Sequence, residues 1–153
     1  MHSRDAEAQR ENQITRQVIG SAIEVHRALG PGLLESPYEE CLCYELAHQG
    51  LPFARQVVLP VRYRDVKLDC GYRIDTLVDG LVIIKLKAVE SLLPIQDAQQ
   101  LTYLKLAEKR VGLLMNFNVP ILKQGLKRIV NQFPDPFASQ RLCGEVSDAP
   151  AIS

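Results

Sequence analysis

The chain has no net charge. Eighteen lysine and arginine side chains are offset by eighteen aspartates and glutamates. No global positive field draws it to nucleic acid, so any such binding has to come from a local patch. A paired-cysteine metal motif is also missing. Cys41, Cys43, Cys70 and Cys143 form no C-x-x-C pair, and no histidine stands near enough to complete a zinc set. Free thiols in a reducing compartment are the better reading. No apolar run approaches the ~20 residues of a membrane span. Residues 1–12 are polar and carry no apolar h-region, so no secretory signal is expected. Internal repeats and low-complexity tracts are absent. Together these features predict a cytoplasmic protein with no membrane partner.

What remains is the composition of an ordinary globular domain. Of 153 residues, 46% are hydrophobic and 24% charged, enough to bury a core without disulfide or metal staples. Residues 1–11 are charged and read as a frayed start, and 12–133 as one domain. The shift to Pro, Ser, Asp and Ala over 134–153 reads as a mobile tail.

Ile14, Val18, Ala22, Val25 and Leu29 recur at spacings of three and four, which predicts a helix stopped by Gly30, Pro31 and Gly32. His26 beside this stripe reads as a core-edge residue, because no second ligand stands at a useful spacing. Ser36 as N-cap, Pro37 at the first helical position and Glu39 closing a capping box predict a second helix, ended by Gly50. Alternation at Val57, Leu59, Val61 and Tyr63, and again at Leu68, Cys70, Tyr72 and Ile74, predicts two strands. A third strand runs from Leu81 to Ala88 after a turn at Asp79 and Gly80. A helix over about 94–108 follows, with Ala98, Leu101 and Leu104 inward. Val111 to Phe117 reads as a strand covered on both faces, and Leu122, Leu126 and Ile129 as a short last helix. The order α-α-β-β-β-α-β-α predicts an α/β fold with a mixed central sheet flanked by helices.

Lys85 and Lys87 are out of place. They share one face of an otherwise apolar strand, and burying an unpaired charge costs several kcal/mol, a rough figure. Either this is an edge strand with solvated lysines, or a carboxylate or phosphate compensates. Asp75 could compensate, depending on the turn. A two-residue loop pairs Val78 with Leu81 and sends Asp75 to the other face. A three-residue loop pairs Val78 with Val82 and sets Asp75 opposite Lys85. The sequence allows both; the second is expected because it lets the charges neutralise each other.

Several separated segments resemble one family. Gly32-Leu33-Leu34-Glu35-Ser36-Pro37-Tyr38 looks like the signature of the GxxExxY proteins, which belong to the PD-(D/E)XK nuclease-like superfamily. The likeness continues through Gly71 to Asp75, Val82 to Glu90, Asp97 to Gln99 with Tyr103, and Gly112 to Phe117, spanning about residues 10–130. It implies a restriction-endonuclease-like fold and a hydrolase that cuts phosphodiester bonds with Mg²⁺ or Mn²⁺. Asp75 then matches the metal-binding aspartate and Lys87 the lysine of the acid-x-lysine triplet. Gln99 and Tyr103 match a Q-x-x-x-Y element, although an amide and a phenol at a core edge would look the same. Glu35 matches the signature carboxylate, a second metal ligand if it faces the site and a partner of the helix dipole if it does not.

The chain departs from the pattern at position 85, where the family has an acid and this sequence has lysine. The swap changes the local charge by two. Two charges ~4 Å apart at an effective dielectric near 20 interact by about 4 kcal/mol, enough to remove most of a modest magnesium affinity. Lys85 is therefore expected to act as an internal counter-ion of Asp75, leaving a degenerate active site. The expected partners are DNA or RNA and, as a further option, a second copy of the chain. Lys105, Lys109, Arg110, Lys123, Lys127 and Arg128 bias the C-terminal half towards positive charge. They read either as a phosphate-binding patch or as solvated surface. Three readings compete: an impaired nuclease, a non-catalytic module that binds nucleic acid or protein, and a structural or dimerising module.

Overall fold

Ile14, Val18, Ala22 and Val25 are at most 4% exposed, so the helical stripe is the seam by which the first helix meets the rest of the chain. The computed structural model describes residues 2–132. Helix α1 (His2–Leu29) and helix α2 (Glu35–His48) lie side by side. Strands β1 (Phe53–Val58), β2 (Val61–Tyr63), β3 (Val66–Leu68), β4 (Arg73–Val78) and β5 (Val82–Lys87) follow. Helix α3 (Pro94–Ala107), strand β6 (Val111–Asn116), a 3-10 turn (Leu122–Gly125) and strand β7 (Leu126–Val130) complete the described chain. The main sheet has the order β1-β4-β5-β6-β7. Only β5 and β6 run parallel, joined by the α3 crossover. This is the mixed α/β architecture of a restriction-endonuclease-like fold.

The two faces of the sheet are covered differently. Tyr38, Leu42 and Leu46 of α2 join the α1 seam over Val82, Ile84, Leu86, Leu113 and Met115. On the other face Leu104 of α3 packs with Ile83, Ile74 and Leu59. Each such side chain, taken fully out of water, contributes about 1.5–3 kcal/mol. Strand β6 is buried throughout because it lies inside the sheet with a helix layer on either side.

Several expectations need correction. The polar stretch 1–11 is helical from His2 onward and tied down: Arg110 reaches Glu7 at 2.7 Å and Glu11 at 3.3 Å, and Arg10 reaches Asp79 at 2.8 Å. Helix α2 starts earlier than the Ser36 cap implies. Its N-cap is Leu34, and no side chain caps it. Tyr38 holds this entry instead, donating to the Gly30 carbonyl at 2.5 Å and accepting from the Leu33 N–H at 3.2 Å. The alternation through Val57–Tyr63 is broken at Leu59 and Pro60, and β2 and β3 form a small hairpin of their own; proline cannot donate to a ladder. The expected last helix is a 3-10 turn leading into β7. A helix there would leave one edge of the wholly buried β6 unpaired, and β7 covers that edge over five residue pairs. The expected tail 134–153, Cys143 and residue 133 lie outside the described residues. Among the described residues no helix is long and apolar enough to cross a membrane.

The sheet and α3 are locked by an amide. Gln100 is buried, and its Nε2 donates to the carbonyls of Ile83 and Leu113 at 3.2 Å each. Gly112 makes the room: a Cβ there would come 2.6 Å from that nitrogen. Gly112→Ala should destabilise the fold by about 1–3 kcal/mol in urea denaturation. Combined with Gln100→Ala, the cost should fall short of the sum of the two single changes.

Cys43 lies on the buried side of α2 near Thr76 of β4, and burial pushes its thiol up, opposed by the nearby Arg55 and by Thr76. Cys70 is exposed. Iodoacetamide at about pH 8 should therefore alkylate Cys70 and spare Cys43 in the folded protein, because only the thiolate reacts. Peptide mass spectrometry reads the difference, and equal labelling would contradict this packing.

Candidate active site

A turn fixes the register that matters. Asp79 and Gly80 both take left-handed conformations, φ 53° and 66°, which glycine adopts freely and aspartate tolerates. The Leu81 N–H donates to the Val78 carbonyl at 2.9 Å, leaving Leu81 outside the ladder. Val78 then pairs with Val82, Leu77 with Ile83 and Thr76 with Ile84. This is the three-residue loop, and it sets Asp75 beside Lys85. Lys85 Nζ donates to Asp75 Oδ2 at 2.8 Å, with the two side chains 32% and 29% exposed.

Strand β5 alternates across the sheet. Val82, Ile84 and Leu86 turn to the α1/α2 layer, while Ile83 turns to the α3 side and Lys85 and Lys87 follow it there. Beyond the end of Leu104's cover, these lysines floor a cleft of about 670 Å³. One wall is α3, with Gln96, Gln99 and Tyr103; the other carries Tyr72 and Val61 of the β2 region. The start of α3 is rigid. Pro94 opens it, and Gln96 Oε1 accepts the Leu93 N–H at 2.7 Å. The Tyr72 and Tyr103 rings meet edge to face, 6.0 Å apart at 77°.

Four of the six residues singled out in the sequence therefore line one cleft: Lys85, Lys87, Gln99 and Tyr103. Asp75 joins them through Lys85. Glu35 does not. It is exposed in the first turn of α2, a helix packed on the opposite face of the sheet, and among the described residues it makes no hydrogen bond or ion pair. Nor does Glu39 close a capping box; its carboxylate stands 3.4 Å from Arg55, also away from the cleft.

A divalent cation needs hard oxygen ligands, for magnesium usually one or two carboxylates with phosphate and water. Asp75 offers one carboxylate, already held by an ammonium group. Among the described residues no carboxylate lines the cleft. Among the described residues no three His, Cys, Asp or Glu side chains gather at a metal-binding spacing. The residues present do not fit a magnesium or manganese ion.

Part of the C-terminal basic bias is paired within the molecule. Arg110 is paired with Glu7 and Glu11, and Lys127 with Asp97 at 3.2 Å. Arg128 donates to Asn12 at 2.9 Å. Lys123 and Lys127, in the segment read from sequence as a short last helix, stand instead in the 3-10 turn and in β7. Lys87, by contrast, has no carboxylate partner among the described residues.

Sequence reasoning missed Tyr72, counted only as one apolar position of an alternating strand, and Gln96 and Gln100. A signal existed for Gln100: it stands four residues before Leu104, on the buried stripe of α3, where an amide needs partners.

Comparison with known proteins agrees with this arrangement. A family model described as the PD-(D/E)XK nuclease superfamily matches residues 12–129, from the core-facing part of α1 to the next-to-last residue of β7. No curated protein and no solved structure matches the chain. Proteins of that superfamily generally use divalent metals to cut nucleic acids. The chain belongs to the PD-(D/E)XK nuclease superfamily.

Proposed function

We propose that this protein is a nuclease-like phosphodiester-binding member of the superfamily, of the GxxExxY type, whose hydrolytic centre is impaired by Lys85. One observation carries the reading: the 2.8 Å ion pair between Lys85 and Asp75. The pair neutralises the one carboxylate the strands provide and puts a positive group where a cation's second acidic ligand is required. Lys87, Gln99 and Tyr103 remain available to hold a phosphate and orient a strand. DNA or RNA is the partner this set suits.

The pair is half-buried, so it gains more than a surface pair and is screened less by salt. Breaking it from one side leaves the other charge poorly solvated, which favours its persistence. A non-catalytic nucleic-acid-binding module on the same fold is the second reading. It is favoured by the same pair, with the cleft kept for binding alone.

Calorimetry with Mn²⁺ and Mg²⁺ tests the reading. The chain as it stands should show no site-specific binding, whereas Lys85→Glu should bind Mn²⁺ and gain cleavage of DNA or RNA in a gel assay. Tight, equal binding by both forms would defeat it. Metal binding without cleavage by Lys85→Glu would favour the non-catalytic module.

A further inference from the structure

We propose that the cleft binds a nucleoside phosphomonoester without any metal, the phosphate on Lys87 and the base on Tyr72. The inference rests on the Lys85–Asp75 pair of the proposed function, and adds what the remaining groups do once that pair is closed.

The charge count comes first. Two ammonium groups floor the cleft, and among the described residues no carboxylate lines it. Lys85 is spent on Asp75, while Lys87 has no carboxylate partner among the described residues, so one positive charge is left for a ligand. A half-buried ammonium facing an anion in such a recess is screened less than one on open surface. In a site built for a divalent ion, that ion would supply the charge that meets the phosphate. Here the chain's own lysines have to.

The walls define the rest of the ligand. Tyr72 is 47% exposed, so its ring has free surface, and its edge-to-face contact with Tyr103 fixes its tilt. An exposed, braced aromatic beside a cation suits a base stacked next to a phosphate. Gln96 and Gln99 add amide donors and acceptors along the α3 wall. The volume, about 670 Å³, lies within the ~300–1,000 Å³ of small-ligand pockets. It suits a nucleotide and not a duplex laid across it. The same chemistry is presented by a free mononucleotide and by the 5′-phosphorylated end of a single strand.

Calorimetry in EDTA decides the matter, with adenosine 5′-monophosphate, adenosine, inorganic phosphate and a 5′-phosphorylated DNA trinucleotide as probes. The monophosphate or the trinucleotide should bind, more weakly as salt rises, and the tighter of the two names the source. Lys87→Gln should weaken binding by roughly tenfold or more, and Lys87→Arg should restore most of it. Tyr72→Ala should weaken the nucleotide and leave inorganic phosphate unchanged. Thermal melts of each variant check folding, and the Arg variant keeps the test informative if Gln is destabilised. Failure of both nucleotide probes to bind, with or without Mg²⁺, would overturn the pocket while leaving the Lys85–Asp75 reading intact. Binding only when Mg²⁺ is present would overturn both. Binding unchanged by Lys87→Gln would overturn the assignment of the phosphate.

Discussion

Lys85 and Asp75 meet across two neighbouring strands, and almost everything else about the cleft depends on that contact. An ammonium group on a central strand is tolerable only when a counter-charge lies within hydrogen-bond reach. The carboxylate that fulfils this role is that of Asp75. A single interaction therefore makes the strand compatible with its half-buried setting. The net effect is a recess in which Lys85 is neutralised while Lys87 has no carboxylate partner among the described residues.

The contact exists because of the turn that lies midway between its two residues along the chain. Two left-handed residues at Asp79 and Gly80 leave Leu81 outside the ladder, and that one residue decides the face on which Asp75 emerges. Side chains alternate along a strand, so a shift of one residue would move the carboxylate to the α1/α2 side and strand both lysines. The turn is held from outside the hairpin as well. Arg10 of α1 bonds the Asp79 carboxylate, and the Asp79 N–H donates to Pro52. The first helix thus helps fix the register of a site it does not touch.

The parallel pair β5 and β6 provides the platform. Gln100 clamps both strands to α3 through their carbonyls, and Gly112 leaves the space it needs. Pro94 and Gln96 fix the entry of α3, which keeps Gln99 and Tyr103 on the cleft wall. Two other basic residues bridge the helix layer to the sheet: Arg110 to the start of α1, Lys127 to α3. Lys87 remains the charge on the cleft floor that no acid has claimed.

Local signals in the chain were strong where one residue type can do only one job. The α1 stripe from Ile14 to Val25, the largely apolar run of β6 and the two lysines in β5 follow from the local pattern and stand where they were expected, while Leu29 at the end of the stripe is 37% exposed. Signals failed where distant parts compete for the same segment. Leu122, Leu126 and Ile129 carry a helical spacing, yet they serve a turn and a strand because β6 has an open edge to cover. Ser36 looks like a cap, yet the Tyr38 hydroxyl holds that entry. Glu35 looks like a ligand, yet its helix packs on the other side of the sheet. The sequence by itself determined that two ammonium groups share one face of a strand near an aspartate, since this depends on residue identity and a period of two. Only the tertiary structure decided that Asp75 meets Lys85 and that Lys87 is left over, because register, sheet order and the partners of each charge are set by contacts between segments far apart in the chain.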